Sequence, residues 1–333
     1  MDKQAKICVL GAGAIGCTVA ARLILAGFEH VALVARGQNR TVLMEHGIHL
    51  TDLTGEHHVY PDMVVEDISS LPAQDVVFIA TKADALKNVV DGLNTVLHES
   101  SLVIPLMNGI PFWYFYIGQE RQEIQSIQCL DQDEMLIQKF PFQQLIGSVV
   151  FITAELLSHG VVKSNNPYLL IFGEPEHQKT PRIEALAALF ADTSIEARVV
   201  DNIRDQIWTK VIANLSSNPL SVVTGATLQD IYSHPKLHTL VTQIMQEIRL
   251  VAVSYGARIS IDPHSFLKLG AQMGDVHTSM WQDYQHKRPL ELNSIAMAVF
   301  ELAERYECQM PITQNICSLT QYLSEQSRTT TAC

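Results

Sequence analysis

The sequence predicts an α/β protein in two parts, an amino-terminal parallel sheet flanked by helices and a carboxy-terminal all-α half. Three observations carry that expectation. A short apolar run, KICVL at 6–10, passes directly into the glycine pattern GAGAIG and then into a helix-like stretch, CTVAARLILAG. Further apolar runs recur at 30–36, 75–82 and 101–109, separated by stretches long enough for crossover connections. After Asp201 the β-rich pattern gives way to helical periodicity.

Taken in order, KICVL reads as a strand, GAGAIG as a tight turn, and CTVAARLILAG as a helix ending on a glycine. HVALVAR (30–36), DVVFIATK (75–82) and SLVIPLMNG (101–109) are the next strands of the parallel sheet. From 145 to 175 the text LIGSVVFITAELLSHGVVKSNNPYLLIFGEP sets β-rich runs between glycine and asparagine turns, which suggests an antiparallel extension of that sheet. RIEALAALFADT (182–193) reads as a helix and IEARVV (195–200) as one more strand. Beyond them, LVTQIMQEIRLVAVSYGA and LNSIAMAVFELAERY read as helices. The expected domains are therefore 1–200 and 201–333, packed firmly with a cleft between them, and the terminal SRTTTAC is expected to fray.

Composition narrows the function. A chain of 333 residues, 47% hydrophobic and 17% charged, is ordinary for a globular protein of about two domains. Its formal charge of −12 argues against nucleic acid, which needs a dense positive face. The six cysteines, Cys333 included, show no C-x-x-C pairing, so reduced thiols and a cytoplasmic location are expected. The thirteen histidines suggest no metal, with the adjacent His57 and His58 placed in a strand or turn. Ile7 to Phe28 could pass for a signal peptide or membrane span, but Gly11, Gly13, Gly16, Gly27 and Arg22 interrupt it, and no membrane partner is expected.

GAGAIG (11–16) matches G-x-G-x-x-G. Its first glycine allows the tight turn, its second lets backbone approach a pyrophosphate, and its third permits close helix packing. Following a strand and opening a helix, it points to a Rossmann-like dinucleotide-binding domain held by Gly11, Ala12, Gly13, Ala14, Ile15 and Gly16; the alternative is a structural glycine turn. At the end of the second strand, where an acidic residue would hold an NAD ribose, stands Arg36, with Arg40 close behind. An arginine would bind a 2′-phosphate that an acid would repel, so NADP(H) is the expected cofactor unless both arginines are merely solvated. Lys82 and Asn108 close two further strands, where ligands of open α/β sheets lie; a surface lysine and a turn asparagine are the alternatives.

In QIWTKVIANLSSNPLS (206–221), Lys210, Asn214 and Asn218 recur at steps of four. On a helical wheel they fall at about 0°, 40° and 80°, beside the apolar face of Trp208, Val211, Ile212 and Leu215 at roughly 100° to 200°. Asparagines are poor mid-helix residues, which favours a ligand-facing stripe over a solvated edge. Pro219 is expected to end or kink the helix.

This ordered set resembles the ketopantoate reductase (2-dehydropantoate 2-reductase) family over nearly the whole length. The matching residues are GAGAIG with Arg36, TK at 81–82, NG at 108–109, K-x-x-x-N-x-x-x-N-P-L from Lys210 to Leu220, SM at 279–280, and the glutamate of PLELN, Glu291. The resemblance implies NADPH in the first domain and a small 2-keto acid in the interdomain cleft. It implies Lys210 as the catalytic lysine and Glu291 as a substrate-binding glutamate acting with it. It implies substrate contacts from Asn214, Asn218, Ser279, Lys82 and Asn108, with Lys82, Asn108 and Glu291 also reaching the cofactor side. Considered without the family, Glu291 is as easily a helix-start carboxylate. A lysine ammonium suits the chemistry, since it can stabilise and then protonate the oxyanion left when hydride reaches a keto carbon.

The pattern also departs from the family. Leu228, in TGATLQDIY, stands where an asparagine is expected, T-E-I-D becomes LELN at 290–293, and Val276 replaces a polar contact of some members. These losses bear on which keto acid is accepted, because specificity resides in hydrogen bonds to the substrate hydroxyl. PFWYFY (111–116) reads either as an apolar wall over the substrate or as a helix start packed into the core. The expected activity is NADPH-dependent reduction of 2-dehydropantoate to (R)-pantoate, a step of pantothenate biosynthesis. The alternatives are reduction of another 2-keto acid or an opine-type product, and a non-catalytic NADP(H)-sensing module; a homodimer is open to any of them.

Overall fold

The computed structural model describes residues 2–329, so the last four residues of SRTTTAC, Cys333 among them, lie outside the described residues. The chain divides into two compact units. The first comprises 1–107, 115–125 and 134–203; the second comprises 108–114, 126–133 and 204–333. The expected single boundary near residue 200 thus compares with a break after Ile203, plus two short excursions of the amino-terminal half into the second unit.

Among the described residues the first unit holds twelve strands in three sheets. In the main sheet, β1 (Ile7–Leu10), β2 (Val31–Val34), β5 (Met63–Val65), β6 (Gln74–Ile79) and β7 (Leu97–Pro105) run in the order β5-β2-β1-β6-β7, every neighbouring pair parallel. Their apolar residues are buried on both faces, as a parallel sheet requires. Strand order reverses between β1 and β6, which makes the end of β1 a topological switch point. Helices α1 (Ala14–Leu25), α2 (Gly37–His46), α3 (Val90–Thr95), α4 (Met135–Lys139) and α5 (Pro181–Ala188) complete the unit.

The expected antiparallel extension of that sheet is corrected. β3 (Ile48–Asp52), β4 (Gly55–Val59), β9 (Glu155–Ser158) and β10 (Val161–Lys163) form one separate sheet, and β8 (Gly147–Phe151), β11 (Tyr168–Gly173) and β12 (Ile195–Val199) form another. An isolated bridge from Val103 to Leu145 joins this region to β7. Alternation along 145–175 specifies which faces are apolar, but not which strand edge each run will find. Arg22, on buried α1, is only 4% exposed because Asp52 of β3 pairs with it, and Tyr168 Oη donates to the same carboxylate at 2.9 Å.

The second unit is helical: α6 (Ile203–Thr224), α7 (Leu228–Ser233), α8 (Pro235–Ser254), α9 (Pro263–Gln272), α10 (Ser279–Gln285), α11 (Ala298–Arg305) and α12 (Pro311–Thr329). A π-helical turn, Asn293–Met297, leads into α11. α6 buries Ile203, Ile207, Trp208, Val211, Ile212 and Leu215. Of the two outcomes expected at Pro219, an end or a kink, the end is corrected: the helix runs on through the proline to Thr224. Hydroxyls tie the surrounding turns: Ser217 Oγ donates to Ala213 O at 2.8 Å, Ser221 Oγ to Asn218 O at 2.7 Å, and Thr320 Oγ1 to Pro219 O at 3.1 Å.

The aromatic run begins no helix, which corrects the packed-helix reading; 111–114 form a turn with Tyr114 N–H bonded to Pro111 O. Phe112, Trp113 and Tyr114 are buried, Arg204 Nε donates to Tyr114 O at 2.8 Å, and Trp208 Nε1 donates to Tyr114 Oη at 2.8 Å. Among the described residues no helix is long and apolar enough to cross a membrane, and no cluster of three or more metal-ligating side chains occurs. His234 and His238, four residues apart at the start of α8, have no third such neighbour there.

Candidate active site

In the first unit the glycine loop leaves β1 at the switch point. Gly11 has φ +112° and lies against the Ala80–Thr81 backbone, where an added Cβ would come within 2.9 Å of three atoms. Gly16 packs onto Gly11 O so closely that no side chain fits, whereas Gly13 faces open space. The three glycines thus divide the tasks that the motif implies: turn, ligand approach and helix packing. Gly13 also stands at the N-cap of α1 and supplies no side-chain acceptor, so the first amides of this 12-residue helix are left for an anion.

Register brings more groups to this edge. Leu10, Val34 and Ile79 are aligned across β2-β1-β6, so the residues following each emerge together. Arg36, exposed, sits at the N-cap of α2. The Ser69 amide chiefly, with a minor contribution from Arg36, holds the Asp67 carboxyl below its usual range. Asn39, which sequence reasoning missed, donates through Nδ2 to Ala12 O at 3.0 Å and so braces the loop from α2. Only its place three residues beyond Arg36 hinted at it. Lys82 is exposed at the end of the β6 segment, as the N-cap of a short 3₁₀ helix.

The second unit gathers side chains from three distant segments. Asn108 Nδ2 donates to Glu291 Oε2 at 3.1 Å across 183 residues of sequence. Glu291 immediately precedes the helical turn containing the π segment, and its carbonyl accepts from Ile295 N–H at 3.2 Å. Lys210, half-buried on α6, is desolvated strongly enough to bring its pKa down to about 8, and the negative charge of Glu291 opposes that fall. Lysine, carboxylate and carboxamide therefore belong to one electrostatic cluster.

Asn214, one turn beyond Lys210, is half-buried; Asn218, a further turn on, is 4% exposed, its Oδ1 3.4 Å from Ser217 Oγ. Ser221 continues this line and bonds Thr278 at 2.5 Å between hydroxyls. Thr278 caps α10, accepting from Trp281 N–H at 3.2 Å, and thereby sets exposed Ser279 at the first helical position. Asn108, Lys210, Asn214, Asn218, Ser279 and Glu291 thus all lie in the second unit, while the glycine loop, Arg36 and Lys82 lie in the first.

Comparison with known proteins agrees over both halves. The family model described as ketopantoate reductase PanE/ApbA matches residues 7–177, and that of its C-terminal region matches 202–324. The chain belongs to the ketopantoate reductase family. A 2-dehydropantoate 2-reductase of Mesorhizobium japonicum is 31% identical over 319 residues, covering 96% of this chain and 98% of its own length. A crystal structure from Ralstonia solanacearum MolK2, provisionally named a ketopantoate reductase, superposes with TM-score 0.89 at 31% identity, covering 97% and 98% of the two chains. The same fold recurs at 20% identity and TM-score 0.81 in D-mandelate dehydrogenase with NADH and anilino(oxo)acetate, covering 97% and 99%.

Members of the ketopantoate reductase family are oxidoreductases that take reducing equivalents from a nicotinamide dinucleotide. The first unit fits such a group. Asn39 Oδ1, Arg40 Nε and Thr81 Oγ1 are buried without a hydrogen-bond partner among the described residues, beside or next in sequence to groups touching the loop. One acceptor and two donors suit ribose hydroxyls and phosphate oxygens, and the open space at Gly13 leaves room for backbone approach.

Proposed function

We propose that this ketopantoate reductase homologue reduces 2-dehydropantoate to (R)-pantoate with NADPH, a step of pantothenate biosynthesis. The carrying observation is the desolvated Lys210 with the charge of Glu291 acting on it. When bound, NADPH supplies the hydride to the keto carbon. Lys210 hydrogen-bonds the keto oxygen, stabilises the negative charge that develops there, and transfers its proton to form the hydroxyl. A lysine titrating near 8 serves better as an acid near neutral pH than one left at the ordinary value.

In this reading Glu291 orients the ammonium and accepts from the substrate hydroxyl, while Asn108 holds the carboxylate. Asn214, and Asn218 behind it, line the substrate side of α6. Ser279 and Lys82 meet the substrate carboxylate. Gly11 to Gly16 take the pyrophosphate and Arg36 the 2′-phosphate, with Lys82, Asn108 and Glu291 also near the nicotinamide side.

One observation favours a second reading, in which a more apolar 2-keto acid is preferred. Leu228 N–H bonds Val276 O at 2.8 Å, bringing together two half-buried apolar residues where polar contacts were expected. The test is oxidation of NADPH, followed by the absorbance of the reduced nicotinamide, across a panel of 2-keto acids. The first reading expects the highest kcat/KM with 2-dehydropantoate, and a higher value with an apolar acid selects the second. Cofactor binding without turnover of any acid defeats both.

A further inference from the structure

We infer that Gly109 and the peptide carbonyl of Ser294 are positioning elements for the Glu291–Lys210 pair, the glycine letting the 108–110 turn sit directly on the π-helical turn beside Glu291. This rests on the reading of Lys210 as the proton donor. Gly109 has φ +84°, a conformation that L side chains rarely adopt. A Cβ there would fall on the Ser294 carbonyl, far inside contact distance, and within 2.8 Å of Ile295 N.

The π turn explains why that carbonyl is available. In an α-helix Ser294 O would accept from Ala298 N–H, four residues on. Here Ala298 N–H bonds Asn293 O instead, and Ser294 O accepts from Ile110 N–H at 2.8 Å. The helix has exchanged one internal bond for a bond to the neighbouring turn, a device recurrent at functional sites. Asn108, one residue before the glycine, then reaches Glu291 Oε2, and Ile295 N–H holds Glu291 O from within the same turn. Backbone contact and side-chain contact therefore move together: displacing the π turn displaces the carboxylate.

An alanine at 109 must push the two backbones apart by roughly an ångström to restore van der Waals separation. The carboxylate then retreats, and Lys210 loses the charge that opposes its desolvation. Nitrogen NMR of lysine-labelled enzyme, with the Lys210 resonance assigned through Lys210→Arg, reads this without turnover. In Gly109→Ala the titration of Lys210 should fall below its wild-type value, and kcat should fall by about 10- to 100-fold, the scale for an ångström of misplacement, with the KM for NADPH little changed.

In a Glu291→Gln background the same alanine should move the Lys210 titration no further. An unmoved titration in folded Gly109→Ala, or an equal movement in both backgrounds, overturns the inference. Should alanine at 109 prevent folding, an amide-to-ester replacement that removes the Ile110 N–H donated to Ser294 O, and keeps both the glycine and Asn108, decides by the same two outcomes. If wild-type enzyme reduces no keto acid, the proposed function fails while the lysine resonance still decides the positioning.

Discussion

The proposed sites of the two units are built from different materials. In the first, backbone does the holding: three glycines, the open amides of α1, and strand ends in register at Leu10, Val34 and Ile79. In the second, side chains do it, drawn from Asn108, Lys210 and Glu291. A backbone site is written in consecutive residues, because a turn is local. A side-chain site is assembled by tertiary packing, so its parts are scattered and each is ambiguous alone.

The difference predicts how each unit fails. Losing the functional atom of the second unit should leave the fold and the cofactor site intact. Lys210→Ala is expected to lower kcat by about 10² to 10⁴ while NADPH still binds. Steady-state kinetics alongside fluorescence titration of NADPH separate the two effects, and loss of both together would erase the distinction.

The backbone site should fail through space instead. Gly16→Ala places a methyl against Gly11 O, and overpacking of this kind costs about 1–3 kcal/mol. Thermal unfolding should show the loss, with cofactor affinity falling as the loop shifts. Gly13→Ala, facing open space in the protein alone, should leave stability close to wild type yet weaken NADPH. Equal destabilisation by both substitutions would contradict the assigned division of labour.

The smallest expected effect belongs to Arg36, the side chain proposed to discriminate between the two cofactors. Arg36 is exposed, so a charge-assisted contact to the 2′-phosphate should sit near the low end of ~1.5–3 kcal/mol, about tenfold in affinity. Arg36→Asp should therefore weaken NADPH selectively in parallel titrations with NADH. Equal losses for both cofactors would remove Arg36 from the site.

This contrast also explains what was legible in the sequence. The glycine loop, the parallel sheet and the long helix carrying Lys210 were readable because periodicity and turn chemistry are local. The three-sheet arrangement was not, since β10 pairs with β3 across more than a hundred residues and nothing in either run names its partner. Pro219 inside α6 shows a similar limit: local propensity allows either an end or a kink, and the helix does not end there, with hydroxyls of Ser217, Ser221 and the distant Thr320 tying surrounding carbonyls. The π turn left no mark, and Asn39 became visible only through its bond to Ala12 O.

The most direct test of the account is the pH dependence of kcat for the wild type beside that of Lys210→Ala. If Lys210 acts as the acid, its ammonium form is required, so activity is retained below about 8 and lost as pH rises through that value. The residual activity of Lys210→Ala should then lack that alkaline fall. The same fall in both proteins would show that another group supplies the proton.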